Sequence, residues 1–144
     1  MSSRIEDFFI NADLVTEETK EVIISNRFKD QNGDLIPFKI KTISEEENRR
    51  IKEKSNVIGS DQFKRKTKDL DSSLYQANLI VACTIEPNFK SSDLQARHKF
   101  DGNSVGLVRF LLRAGEFNKL VEAILEFNGF LDNDLEEVAN EIKN

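Results

Sequence analysis

The feature that most constrains the fold of this chain is the stretch of residues 72–85, which is apolar on nearly every face if it forms a helix. Its apolar residues are Leu74, Tyr75, Ala77, Leu79, Ile80, Val81, Ala82, Cys83 and Ile85. A helix that is hydrophobic all round is buried, so other elements must cover it on several sides. Asp71 can cap its N-terminus, and Pro87 must end it. A strand over residues 79–85 is the alternative, because short apolar runs do not distinguish the two structures.

Later segments supply helices that can cover this central element. A short helix is predicted near residues 92–98, and the pattern beyond it is clearly helical. Three apolar stripes follow one another: Val105, Val108, Leu111 and Leu112; Phe117, Leu120, Val121, Ile124 and Leu125; Leu135, Val138, Ala139 and Ile142. Gly115 separates the first two stripes, and Gly129 ends the second. Asn133 together with Glu136 signals the start of the third. We expect three short helices packed against one another and against the central helix.

Residues 21–43 are predicted to form a β-hairpin. Their first half is β-branched at three consecutive positions, and their second half alternates, with Phe38 and Ile40 on one face. The Asn-Gly pair at residues 32–33 is the strongest short hairpin signal, because both residues tolerate a positive φ. Pro37 cannot donate to a β-ladder, so its strand should lie at an edge or be bulged there. A lone hairpin is marginal in water, so this one should lie against helices.

The segment after the hairpin is predicted to begin a largely solvated helix. Ser44 can serve as the N-cap, and Glu47 can reach back to it in a capping box. We expect this helix to run until Gly59 stops it. Residues 61–70, with four basic residues around Phe63, are predicted to be a connector or a short strand.

These elements predict an α+β fold that is mainly α-helical, with one N-terminal β-hairpin packed on four to five helices. A chain of 144 residues has the size of one domain. The predicted divisions of this domain are 1–20 as a loosely held N-terminal segment, 21–43 as the hairpin and 44–144 as the helical part. Neither a signal peptide nor a membrane span is predicted, because the longest apolar run covers only residues 79–83.

The inventory of reactive side chains argues against an enzyme. The chain has one histidine, His98, and one cysteine, Cys83, and the cysteine lies in the most apolar segment, where a thiolate is disfavoured. No phosphate-binding glycine loop and no Gly-x-Ser-x-Gly motif occurs. The acidic run at residues 45–47 is better explained by helix capping than by metal binding. We therefore predict no catalytic residue, no metal site and no cofactor.

Charge and aromatic residues favour a protein-binding module. The net charge of −5 argues against general nucleic-acid binding. Residues 39–68 contain ten basic and five acidic residues, whereas residues 116–144 contain two basic and eight acidic ones. Eleven Phe are more than a core of this size needs, so some should be exposed for a partner. A small nucleic-acid-associated regulator that uses residues 64–68 is the alternative, besides a generic protein-interaction module.

Four segments in one order carry a family resemblance: residues 22–34, 37–47, 75–89 and 111–130. The most distinctive is residues 75–89, with the sequence YQANLIVACTIEPNF. No single segment is a chemical motif, but together they resemble the XkdN-like tail assembly chaperones of phages and defective prophages of Gram-positive bacteria. The resemblance covers about residues 5–134.

The resemblance implies a role in the assembly of a contractile phage tail. Such chaperones are thought to hold the tape measure protein, a long, helical and aggregation-prone chain, until tail tube subunits polymerise around it. They are not enzymes and need no cofactor, and they work in the cytoplasm of the bacterial host cell. The resemblance leaves open the tail tube protein and a longer frameshift product as further partners, and also homo-oligomerisation. Neither nucleic acid nor a membrane is an expected partner.

A chaperone of this kind needs apolar surface ringed by charge. We predict that phenylalanines near the N-terminus and near helix ends supply it: Phe8, Phe9, Phe110, Phe117, Phe127 and Phe130. For the apolar patch at residues 8–10 the alternative is that it packs back on the core, and for the last four of these residues the alternative is packing in the core.

Overall fold

The computed structural model describes residues 3–12, 18–60 and 62–130. Within them the helices are α1 (Arg4–Asn11), α2 (Glu45–Lys54), α3 (Ser72–Cys83), α4 (Ser92–Arg97), α5 (Ser104–Leu111) and α6 (Ala114–Phe127). The strands are β1 (Thr19–Val22), β2 (Phe38–Lys41), β3 (Asn56–Ser60), β4 (Lys66–Leu70) and β5 (Thr84–Glu86). The predicted α+β class with a mainly helical content is confirmed.

Helix α3 is the central element, as the sequence predicts. Asp71 caps it by accepting a hydrogen bond from the backbone N–H of Leu74 at 3.1 Å. The helix packs against α2, α5 and α6, and Ile80 and Cys83 within it are fully buried. It ends at Cys83, and Thr84 continues directly into β5. The predicted helix is therefore right for residues 72–83. The alternative, a strand, is right for the last two residues of the stretch, because β5 pairs with β2.

Strands β1, β2 and β5 form an antiparallel sheet with β2 in the middle. The β1–β2 pair confirms the N-terminal hairpin, with Val22 opposite Phe38. Phe38 and Ile40 face the core, as predicted. The expected edge position is wrong, since β2 is the central strand. Pro37 does not disturb it because the strand begins one residue later, and a register irregularity lies between Lys39 and Ile40.

Helix α2 starts as predicted but ends earlier. Ser44 accepts a hydrogen bond from the backbone N–H of Glu47 at 3.2 Å. The predicted end near Gly59 is wrong, because the helix stops at Lys54 and β3 follows. The buried Ser55 marks the stop: its hydroxyl donates to the carbonyl of Ile51 at 2.6 Å and accepts from the Asn78 side chain at 3.0 Å. Of the two options for residues 61–70, the short strand is right, since β4 pairs with β3.

The helices after β5 follow the predicted stripes, with one correction. The break between α5 and α6 was expected at Gly115, but Gly115 lies in the first turn of α6. The chain turns at Leu112 and Arg113 instead, where the backbone N–H of Arg113 donates to the Glu116 carboxylate at 2.8 Å. Helix α6 ends before Gly129, which has a φ of +83°. The predicted third helix, residues 133–142, lies outside the described residues.

Helix α1 lies in the N-terminal segment, where only an apolar patch was expected. Ser3 caps it by accepting a hydrogen bond from the backbone N–H of Glu6 at 3.2 Å. None of its residues is buried. The patch at residues 8–10 therefore does not pack into the core, which is built from the other helices and the β1–β2–β5 sheet.

Candidate protein-binding surfaces

The described residues enclose an apolar groove of about 520 Å³ between the hairpin loop, the segment after β5 and the end of α5. We call it the hairpin groove. Its apolar lining consists of Phe28, Ile36, Pro37, Phe38, Pro87, Phe89, Leu111 and Leu112. Three charged residues, Arg27, Lys29 and Glu86, complete the lining. An apolar depression with a few charged groups is the usual character of a binding site.

The walls of the hairpin groove are held by the fold. The backbone N–H of Ile36 donates to the carbonyl of Phe28 at 2.8 Å, which joins the two arms of the hairpin beyond the strands. The Phe28 and Phe38 rings lie against each other, with centroids 5.1 Å apart. On the opposite side Phe89 is buried, and its carbonyl accepts a hydrogen bond from the buried Gln95 amide at 2.9 Å. The groove is therefore a preformed feature.

A partly buried ion pair fixes one border of the hairpin groove. Arg27 donates from Nε and Nη2 to the two oxygens of Glu116, at 3.0 and 2.7 Å, and from Nη2 to the carbonyl of Leu111 at 2.9 Å. Its guanidinium also lies over the Phe28 ring, 4.6 Å from the centroid. The hydrogen bonds from Arg27 lower the pKa of Glu116 to about 2, although burial acts in the opposite direction. Glu116 is therefore ionised at neutral pH, and it ties α6 to the hairpin.

A second apolar surface is the outer face of α1, which we call the α1 stripe and define as Ile5, Phe8 and Phe9. These residues stand at positions i, i+3 and i+4, which places them on one side of the helix. Phe8 and Phe9 are 59% and 56% exposed, and their rings meet edge to face with centroids 5.5 Å apart. Ile10 is exposed as well.

The six predicted binding residues differ in their exposure. Phe110 and Phe130 are exposed, whereas Phe117 and Phe127 are partly buried and pack against the core. Phe110 lies on α5 beside Phe100 and His98, with ring centroids 5.3 and 5.7 Å away. None of these four residues lines the hairpin groove. Packing against the core, which was the alternative for Phe110, Phe117, Phe127 and Phe130, is thus observed for Phe117 and Phe127.

Sequence reasoning missed the hairpin groove. Its lining comes from three separated segments, residues 27–38, 86–89 and 111–112, and no local pattern joins them. A signal that could have pointed to it is the pair of apolar residues at 35–36, which follows the turn and lies outside the alternating part of the hairpin. Both residues are exposed in the structure.

The structure places the potentially reactive residues apart from the groove. Cys83 is fully buried in α3, and neither Cys83 nor His98 lines the groove. In residues 3–12, 18–60 and 62–130, no group of three or more His, Cys, Asp or Glu side chains is arranged to hold a metal ion. No helix in this part of the chain is long and apolar enough to cross a membrane.

The sequence matches a family of phage proteins. The model of the phage XkdN-like tail assembly chaperone protein family matches residues 5–143. The chain therefore belongs to this family of tail assembly chaperones, which confirms the resemblance found in the sequence.

Two relatives come from Bacillus subtilis strain 168. The protein XkdN of the phage-like element PBSX is 33% identical over 137 residues, which cover 95% of this chain and 92% of XkdN. The protein YqbN is 31% identical over 137 residues, which cover 95% of this chain and 91% of YqbN. The crystal structure of YqbN matches with a TM-score of 0.68 at 28% identity, over 85% of this chain and 94% of the YqbN chain.

Proposed function

We propose that this chaperone binds the tape measure protein in the hairpin groove during tail assembly, in the cytoplasm of the bacterial host and without catalysis. Membership in the tail assembly chaperone family supports the general role. The single observation that carries the binding site is the preformed apolar groove of about 520 Å³ with charged residues on its border.

The client chemistry follows from the shape of the groove. Amphipathic helices bind other proteins by laying an apolar face into a hydrophobic groove, with anchors at i, i+3, i+4 and i+7. A long helical client exposes such faces repeatedly until its own partners cover them. A chaperone with a preformed groove can cover one stretch at a time and keep the client soluble. Tail tube protein and a longer frameshift product of the chaperone gene remain proposed further partners.

The predicted phenylalanine surfaces remain proposals beside the groove. The exposed Phe8 and Phe9 offer a second apolar surface to a client, and Phe110 and Phe130 offer a third and a fourth. Phe117 and Phe127 are only partly accessible, so we propose that they offer the client less contact area than the exposed phenylalanines do.

The test is to co-express the chaperone with the tape measure protein of its own gene cluster. We expect the client to become soluble and to co-purify. The groove variant is Ile36→Glu, because Ile36 is 45% exposed and its backbone hydrogen bond survives the change. The matched control is Val57→Glu, since Val57 is 43% exposed and lies on β3, away from the groove lining.

The proposal expects Ile36→Glu to lose the client and Val57→Glu to retain it, with both variants melting close to the unchanged protein. If wild-type chaperone leaves the client as insoluble as it is alone, the tape measure protein is not its client. If the client co-purifies equally with both variants, the client binds elsewhere than in the hairpin groove.

A further inference from the structure

We propose that the hairpin groove of one copy takes up the α1 stripe of a second copy, so that two chains exchange their N-terminal helices in a symmetric dimer. The inference concerns the chaperone alone and goes beyond the proposed function, because it requires no client. It joins two apolar surfaces that the chain carries and that do not meet within it. No residue of α1 lines the groove, and no residue of α1 is buried.

The α1 stripe has the pattern that a groove of this kind accepts. Ile5, Phe8 and Phe9 provide three large apolar anchors at i, i+3 and i+4, as in helices that dock into hydrophobic grooves. Phe8 and Phe9 carry most of the apolar area, and aromatic side chains in desolvated pockets dominate binding energies.

The volume of the groove fits these anchors. A cavity of about 150 Å³ holds one benzene ring. The hairpin groove of about 520 Å³ therefore has room for about three side chains of that size. The α1 stripe presents two phenyl rings and one isoleucine side chain, so the groove has room for the whole stripe.

Both surfaces carry charges of both signs. Helix α1 carries Arg4, Glu6 and Asp7, which sum to −1. In the groove lining Arg27 is already paired with Glu116, which leaves one cation, Lys29, and one anion, Glu86. Lys29 is the cation that an incoming acidic helix can approach. This attraction orients the helix more than it strengthens binding.

The chain's own α1 lies outside the groove, although its connection to β1 is long enough to reach it. The backbone carbonyl of Glu18 accepts from the N–H of Thr42 at 3.0 Å, which fixes the chain at the end of the sheet away from Pro37. From Thr42 to the groove residue Pro37 the strand spans five residues, or about 17 Å. The six residue steps from Ala12 to Glu18 reach about 20 Å at full extension.

The connection is therefore long enough to bring the chain's own helix to its groove. In the structure, however, that helix lies outside the groove, and none of its residues is buried, so the groove is open to the helix of a second copy. Because the same two surfaces meet twice in a two-fold dimer, each copy both gives a helix and receives one. The dimer buries two stripes and closes two grooves at once.

The test measures the self-association of the purified chaperone by sedimentation equilibrium over a series of concentrations. We expect a monomer–dimer equilibrium for the unchanged protein. The double variant Phe8→Ser with Phe9→Ser removes the stripe, and Ile36→Glu puts a charge into the groove. Each should weaken dimerisation about 30-fold or more, as loss of a binding hot spot does. Val57→Glu should dimerise as the unchanged protein does.

Mixing the two defective variants gives the sharpest result. The intact helix of Ile36→Glu can enter the intact groove of the stripe variant, so one of the two contacts forms. We expect a one-to-one heterodimer that is weaker than the wild-type dimer and stronger than either variant with itself. Association through paired α1 helices, or through paired grooves, would not be restored in the mixture and would overturn the proposal.

Two further results would overturn the exchange. One is a wild-type protein that stays monomeric at all concentrations. The other is a dimer that neither variant weakens. Far-UV circular dichroism and melting of each variant show whether it is folded. Because no client is present, a negative result here leaves client binding untouched, and loss of client binding leaves the dimer untouched.

Discussion

Helices α1 and α6 are both amphipathic, yet they have opposite places in the molecule. The apolar side of α6 is buried, with Leu120 and Ile124 inaccessible to solvent. Its end is tied to the sheet, because the Asn128 side chain accepts from the N–H of Ile43 at 2.9 Å and donates to the carbonyl of Lys41 at 3.3 Å. The α1 stripe has no comparable attachment to the part of the chain that the structure describes, and all of it is exposed. An amphipathic pattern thus predicts a helix and its apolar side, but not what covers that side.

The largest difference between the two helices should appear in the free energy of unfolding. Ile124→Ala leaves a cavity in the core and should cost about 2–5 kcal/mol. Ile5→Ala makes the same chemical change on α1, where the side chain is 61% exposed, and should stay within about 0.5 kcal/mol. Urea unfolding of both variants measures the comparison. Similar losses for the two variants would mean that α1 is part of the core.

A smaller effect is expected at Glu116, through which α6 is attached to the hairpin. The pKa of Glu116 is lowered from 4.5 to about 2 in the folded protein, mainly by the hydrogen bonds from Arg27. A lowered pKa adds stability that is complete above about pH 4.5 and is lost as the pH falls towards about 2. Glu116→Gln should therefore cost on the order of 2 kcal/mol at neutral pH, after allowance for the solvent access of Arg27.

The pH dependence separates this ion pair from general acid sensitivity. The difference in unfolding free energy between the unchanged protein and Glu116→Gln should shrink as the pH is lowered from 5 to 2. Urea unfolding of the two proteins at several pH values measures it. A difference that stays constant over this range would show that the charge of Glu116 contributes nothing, and that only its shape matters.

The smallest effect on stability is expected for Phe8→Ser with Phe9→Ser. At a concentration where the unchanged protein is monomeric, the melting temperature should not change, because neither ring is buried. A marked drop would contradict the contrast between α1 and α6. The same variant tested with the tape measure protein shows how the stripe acts. Loss of the client means that α1 contacts it directly, a higher yield means that α1 competes for the groove, and an equal yield means that α1 does not affect client binding.

Local signals in the sequence were sufficient for much of the fold. The caps at Ser44 and Asp71 form as predicted, because the hydrogen bond of an N-cap depends only on residues within one helical turn. The burial of Phe38 and Ile40 follows from alternation in a strand with one face on the core. The Phe8 and Phe9 pair was also identified as a candidate surface from the sequence.

Other features depend on contacts between distant residues. The end of α2 at Ser55 is set by a hydrogen bond from Asn78, which lies 23 residues further along the chain. The apolar residues after Ser55 fit a helix or a strand equally well, and pairing with β4 decides for the strand. The hairpin groove was missed for the same reason, since its three segments meet only in the folded chain.

The sequence by itself determined the class of fold, the central position of α3, most helix starts and the family. These properties depend on hydrophobic period, on caps and on the order of a few segments, all of which are local along the chain. Only the tertiary structure decided which apolar residues are left uncovered. Burial is a property of the packed whole, because a side chain is exposed or hidden according to neighbours that the chain brings from elsewhere. The open hairpin groove is therefore visible only in the folded protein, which also establishes that the candidate surface at Phe8 and Phe9 is exposed.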